Sequence, residues 1–191
     1  MKQTIQDTSD EVLIAAALDG SLTAWNALVR RHERQVYNFS LRFTGNPDDA
    51  RDLMQEVFLG LYRNLENFRG QSQLTTWLFR IGHNKAVDMA RRRQAGPVVT
   101  ALDDEVHAEV PQADDEAELP DRHLQEQQSN ARIQRVLQQL PVEQRLVVEL
   151  KIFQELTFDD IAEIESISAN TAKTRFYAAL KKLKSLLEST P

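Results

Sequence analysis

The chain has 191 residues, of which 41% are hydrophobic, 7% aromatic and 27% charged, and it contains no cysteine. Disulfides, thiolate-bound metals and cysteine nucleophiles are thereby excluded, and the mix suits a soluble globular chain of one or two domains. The formal charge of −6 is unevenly spread: residues 1–93 carry +2, residues 94–128 carry −9 and residues 129–191 carry +1. No run of apolar residues is long enough to cross a membrane as a helix. The N-terminal MKQTIQDTSDEV lacks the apolar core of a secretory signal, which points to a cytoplasmic location without direct membrane insertion.

Taken in chain order, residues 10–20 place Val12, Leu13, Ala16 and Ala17 on one helical face, closed by Gly20. Ser21 is the N-cap of a second helix whose stripe runs Trp25, Leu28, Val29, His32, Val36, Phe39, Phe43. His32 on that apolar face reads as a packed core histidine. Asn46-Pro47-Asp48-Asp49 starts a third helix, with a capping side chain, proline in the first turn and acids at the positive dipole end. Its inward residues are Ala50, Leu53, Met54, Val57, Phe58, Leu61 and Leu65. Asp48, Asp52, Gln55 and Glu56 share an exposed side that reads, on charge alone, as an ordinary solvated face. After a break at Phe68-Arg69-Gly70, a fourth helix from about Ser72 turns Leu74, Trp77, Leu78, Ile81 and Val87 inward and ends in Arg91-Arg92-Arg93. Along it Arg80, Lys85 and the three terminal arginines face one acid, Asp88, with Phe68, Trp77 and Phe79 interleaved. Cations beside flat rings suit single-stranded nucleic acid, where charges hold phosphates and rings stack on unpaired bases; Trp77 and Phe79 equally fit a core.

Residues 94–128 hold ten acids, one arginine, three prolines and no aromatic residue. They read as an acidic disordered linker that cannot bury enough apolar surface to order itself. Beyond it, Ile133, Val136, Leu137 and Leu140 form a short amphipathic helix, and Pro141 starts another carrying Leu146, Val147, Leu150 and Ile152. Thr157 opens a helix with a capping box, and Ile161, Ala162 and Ile164 point inward. Either Ser168 or Asn170 caps the last helix, about 169–187. Acids fill 155–165 and bases, without any acid, fill 168–187. A short acidic helix, a tight turn and a basic helix fit a helix-turn-helix whose second member enters the major groove. The expected fold class is therefore all-α: two small helical domains, 1–93 and 129–191, joined by the linker, the C-terminal one a helix-turn-helix.

Enzyme chemistry has little support. His32, His83, His107 and His123 are scattered, and neither a phosphate-cradling glycine loop nor a nucleophile elbow occurs. No catalytic residue, cofactor or metal is expected.

The stretches DDARDLMQEVFLGLYRNLENF (48–68), RGQSQLTTWLFRIGHNKAVDMARRR (69–93) and ELTFDDIAEIESISANTAKTRFYAALKKLKSLL (155–187) come in an order that resembles bacterial RNA polymerase sigma factors of the extracytoplasmic-function group. The resemblance implies an alternative sigma factor that binds core RNA polymerase through its β and β′ subunits and directs promoter-specific initiation. Residues 1–93 would be sigma domain 2, for clamp binding, minus-10 recognition and melting, and residues 129–191 sigma domain 4, for minus-35 recognition. By position, Asp52, Gln55 and Glu56 match the clamp-gripping segment. Asn64, Phe68, Asn84 and Asp88 match the surroundings of the pocket for a base flipped from the minus-10 element, and Arg80, Lys85, Arg91, Arg92 and Arg93 would follow its DNA. Thr171, Lys173, Thr174 and Tyr177 match readers of the minus-35 element, with Arg175 on phosphate. Promoter DNA and an anti-sigma factor, through which the chain would be held at the inner membrane, complete the implied partners. Ser166 departs from the pattern, standing where the turn usually has glycine.

Neither small domain has the basic charge for tight DNA binding alone, so affinity is expected only on the polymerase. The 35-residue linker, fully extended, reaches about 115 Å, enough to bridge promoter elements two helical turns, about 70 Å, apart. A stand-alone helix-turn-helix regulator, binding duplex operators as a dimer, is the alternative, and a helical adaptor without nucleic acid is the third.

Overall fold

Residues 8–70, 72–94 and 132–188 are described in the computed structural model, and every regular element among them is helical. The expected linker lies outside the described residues, apart from its first residue, Gln94, which ends a helix.

Helix α1 (Asp10–Leu18) packs on α2 (Leu22–Thr44), and Ser21 joins them as predicted, its hydroxyl accepting the Ala24 amide at 3.3 Å. The inward side of α1 is Leu13 and Ile14, whereas Val12 is 58% exposed. Val12 lies about 100° behind Leu13 and well over 100° from Ala17 around the helix, outside the arc that meets α2. Helix α2 ends at Gly45, whose φ of 71° gives the left-handed cap. Asn46 then caps α3 (Pro47–Asn64), its side chain accepting the amides of Asp48 at 2.8 Å and Asp49 at 3.2 Å. A 3-10 turn over Leu65–Asn67 leads to α4 (Leu74–Gln94).

Two glycines let these helices close together. A Cβ on Gly60 of α3 would stand 2.7 Å from a methyl of Ile81 on α4, and one on Gly82 would meet the Phe39 ring of α2 at 3.1 Å. Phe39, fully buried, lies 5.7 Å from Phe79, so Phe79 belongs to the core. His32 is also buried, as expected, with Nε2 3.0 Å from Asp10 Oδ2. Desolvation pushes its pKa below the usual histidine value more strongly than Asp10 raises it.

The C-terminal region begins with α5 (132–138) and α6 (Val142–Val148). Pro141 is the N-cap of α6 and not its first helical residue, a one-residue shift from the expected start. A π-helical turn over Glu149–Phe153 follows. The wider turn breaks the 3.6 spacing, which leaves Ile152 46% exposed while Leu150 stays fully buried. Ile133, at the start of α5, is 45% exposed and does not join the inward row of Val136, Leu137 and Leu140. Helix α7 (Phe158–Glu165) opens with the predicted capping box between Thr157 and Asp160. Ser166 ends it at φ 55°, a left-handed position held without glycine. Ser168 caps α8 (Ala169–Glu188), its Oγ accepting the Thr171 amide at 3.0 Å.

The two helical regions meet. Leu146, Val147, Leu150, Ile161, Ile164 and Ala172 belong to the same buried cluster as Phe39, Phe43, Leu78 and Ala86. A second, smaller cluster of Leu137, Leu140, Val148 and Ala179 lies within the C-terminal region.

Candidate polymerase and nucleic-acid interfaces

The first candidate face lies on α3. With Leu53, Met54, Val57, Phe58 and Leu61 buried, the helix leaves Asp52, Gln55 and Glu56 exposed together. Asp48 is paired with Arg51 at 2.8 Å. Leu59, 38% exposed, and Tyr62, 66% exposed, continue the row of Asp52, Gln55 and Glu56 at helical spacing. Tyr62 is held edge-on against Trp25 with ring centroids 5.2 Å apart. Sequence reading passed over both, although their positions outside the buried stripe were a visible signal.

The second face lies on α4. Trp77, Arg80, Asn84, Asp88 and Arg91 follow one another three or four residues apart, so they form one row. Phe68 packs against Trp77 with ring centroids 5.3 Å apart, and both rings are half-buried. Asn64 is tied to its own helix, its amide donating to the Gly60 carbonyl at 2.8 Å. Lys85 and Arg93 do not join the row. Lys85 reaches Glu56 at 2.6 Å and Arg93 reaches Asp49 at 2.6 Å, both on α3. Arg92 is exposed, and Arg91 stands 3.9 Å from Asp88. The expectation that the α4 cations face Asp88 alone is therefore corrected: acids from neighbouring helices meet most of them, because α3 packs alongside α4 and α7 packs across it.

The third face lies on α8. Buried Ala172 and Ala179 set its inner side and leave Lys173, Thr174 and Tyr177 exposed. Thr171 shares a 2.8 Å hydrogen bond with Ser168, and Thr174 donates to the Asn170 carbonyl at 2.9 Å. Lys173 stands 5.9 Å from the Phe158 ring centre, and Tyr177 packs edge-on against Phe176. Arg175 is turned inward onto Glu165 at 2.9 Å.

Glu165 is the electrostatic anomaly of the site. Its side chain is 1% exposed, and burial pushes its pKa up to about 7 against the opposing pull of Arg175. Oε2 accepts from Arg175, while Oε1 has no hydrogen-bond partner and lies 3.8 Å from His83 Nε2. His83 is pushed below the usual histidine value by desolvation, and Arg175 adds to that shift. Among the described residues no three carboxylates or histidines gather as metal ligands, and no helix is long and apolar enough to cross a membrane.

This arrangement, an acidic-apolar row on one helix, a basic-aromatic row on the next and a basic second helix in a helix-turn-helix, matches two known families in order. The family described as Sigma-70 region 2 matches residues 28–96, and Sigma-70, region 4 matches residues 130–183. RNA polymerase sigma-H factor of Pseudomonas aeruginosa is 32% identical over 182 residues, covering 94% of both chains. ECF RNA polymerase sigma factor SigM of Mycobacterium tuberculosis is 32% identical and covers 95% of this chain and 86% of its own. Among solved structures, CnrH in complex with the cytosolic domain of CnrY aligns with a TM-score of 0.68 at 24% identity, over 95% of this chain and 99% of that one. Sigma factor RpoE of Bartonella quintana, in complex with the anti-sigma factor NepR, aligns with a TM-score of 0.62 at 21% identity, over 89% and 100%. The chain belongs to the extracytoplasmic-function group of bacterial RNA polymerase sigma factors.

Proposed function

We propose that the chain joins core RNA polymerase and directs promoter-specific transcription initiation as an alternative sigma factor. Residues 1–93 act as the clamp-binding and minus-10 region, residues 129–191 as the minus-35 region, and the acidic stretch 94–128 as the tether. The reading is carried by two sigma regions that follow in order within one chain, each with an exposed row of matching chemistry. Asp52, Gln55 and Glu56 meet the polymerase clamp. Phe68, Asn64, Asn84 and Asp88 surround the flipped minus-10 base, and Arg80, Lys85 and Arg91 to Arg93 follow its backbone. Thr171, Lys173, Thr174 and Tyr177 read the minus-35 edge from α8, with Arg175 on phosphate.

The chain needs no chemistry of its own for this. Unstacking a base costs a few kcal/mol, offset by a pocket that holds it outside the stack. Polymerase performs the catalysis. An anti-sigma factor is the further partner proposed on family membership, and any hold on the inner membrane comes through it. The experiment is transcription in vitro with core polymerase and genomic promoter fragments, followed by mapping of 5′ ends. Discrete starts that appear only with this chain support the reading; their absence, with polymerase active on a control sigma factor, overturns it.

A further inference from the structure

Three strongly exposed apolar side chains, Leu22 at 76%, Tyr62 at 66% and Leu18 at 50%, ring one pocket at a corner of the N-terminal region. The turn between α1 and α2 builds one wall. Gly20, at φ 89°, reverses the chain, and the Gly20 and Ser21 amides donate to the carbonyls of Ala17 and Ala16 at 3.0 and 2.9 Å. The turn is thus satisfied by its own backbone, and it leaves Leu18 and Leu22 lining the pocket without an apolar cover. The end of α3 builds the other wall with Tyr62, while half-buried Trp25 and buried Leu65 complete the apolar lining. Exposed Arg63 and Glu66 add a charged edge. The cavity is about 390 Å³, within the range of clefts that hold a binding group. An apolar centre with a charged edge is how protein-protein anchor sites are built, and Trp and Tyr are enriched there.

The occupant follows from α3. Tyr62 is both a wall of the pocket and the last residue of the exposed row Asp52, Gln55, Glu56, Leu59, so the pocket continues that row without a break. From Gln55 to Tyr62 the row advances about 10 Å along the helix. We propose that the pocket holds one large apolar side chain of the same polymerase helix that meets Asp52, Gln55 and Glu56. This rests on the function proposed above and extends its docking face from α3 to the α1–α2 corner. The partner chemistry is thereby set: a helix that presents a base to the acids and, about two turns further on, a leucine, isoleucine or aromatic side chain to the pocket. The acids steer the partner and fix its register in a salt-dependent way, whereas the filled apolar anchor slows dissociation. A second copy of this chain does not suit the face, because a two-fold contact through it brings one acidic row toward the other.

The test places photoreactive benzoylphenylalanine at Leu22, and in a separate sample at Gln55, of the full-length chain and crosslinks each to core polymerase. Both are expected to attach to the same polymerase subunit, at peptides about two to three helical turns apart. Leu18→Ser and Leu22→Ser, both at exposed positions, should each weaken core binding about fivefold in a fluorescence-anisotropy titration, mainly through faster dissociation. Their helical circular dichroism should be retained. Val12→Ser removes an apolar side chain that is 58% exposed but outside the pocket, and should leave the affinity unchanged. Leu22 crosslinks on a different subunit from those of Gln55, or none in an assembled complex, overturn the proposal. So do folded Leu18 and Leu22 variants of wild-type affinity, or a loss in Val12→Ser as large as theirs. Leu22 crosslinks between two copies of the chain without polymerase overturn it in favour of a dimer. If a serine variant fails to fold, the crosslinks decide. Normal assembly by Leu22→Ser removes the anchor and leaves the proposed function standing, whereas a wild-type chain that never binds polymerase removes both.

Discussion

Replacing Glu165 by glutamine should remove a pH dependence from the stability of the folded chain. The folded carboxyl holds its proton up to about pH 7 instead of 4.5, chiefly because burial disfavours the charge, with Arg175 opposing and Glu143 adding repulsion. A raised folded pKa means that the folded state binds more protons than the unfolded one between those values. Its contribution is fully present below pH 4.5 and is lost as pH rises through 7. At 1.36 kcal/mol per pH unit, the shift corresponds to about 3 kcal/mol in all and about 2.5 kcal/mol between pH 5 and 8. Solvent screening removes little, since the side chain is 1% exposed. His83, whose pKa is lowered, costs stability as pH falls, and Glu149, whose pKa is raised, acts in the same direction as Glu165. Both persist in the variant and cancel in the comparison. Urea unfolding of wild type and Glu165→Gln from pH 5 to 8.5 should thus show curves that diverge, the variant gaining about 2.5 kcal/mol relative to wild type by pH 8. Parallel curves, within about 0.5 kcal/mol, would refute the assignment of a buried, protonated Glu165.

Asp52→Ala and Glu56→Ala should weaken assembly with core polymerase, measured by fluorescence anisotropy, more than they slow strand opening. Phe68→Ala and Asn84→Ala should slow permanganate-detected opening and leave assembly intact. Gly60→Ala should lower stability by about 1 kcal/mol or more in urea unfolding, since overpacking costs more than the gain in helix propensity; its Cβ would stand 2.7 Å from Ile81. Thr157→Ala removes one member of the capping box and should cost about 1 kcal/mol by the same measurement.

Contacts within four residues were the legible ones. Ser21, Asn46 and Thr157 cap the helices they were expected to cap, because a capping side chain and the amide it accepts are neighbours in sequence. The buried stripes of α2 and α3 followed from a 3.6 period over five or six turns. Short helices were less legible: Val12 and Ile133 sit on elements of two or three turns, where one apolar residue does not define a face. Ile152 escaped because a π turn has no signature in apolar spacing. His32 was readable as a core residue, whereas its partner Asp10, 22 positions away, was not. The same applies to Arg80 and Glu163, 83 positions apart, and to Arg42 and Glu149, 107 apart. Which cation meets which carboxylate depends on the packing of whole helices, and opposite charges in a sequence do not record it.

That pairing bears on the expectation that neither region binds DNA tightly by itself. A cation solvated by water binds phosphate by releasing counterions, with a large favourable contribution at low salt. Arg80, Lys85, Arg91 and Arg93 instead face Glu163, Glu56, Asp88 and Asp49. For these side chains, contact with DNA exchanges one anionic partner for another, and the carboxylate left behind must be rehydrated or meet a new cation. The net gain per contact is then small. Glu56 belongs both to the Lys85 pair and to the exposed acidic row of α3. If Glu56 meets a polymerase cation as proposed, that cation competes with Lys85 for the same carboxylate.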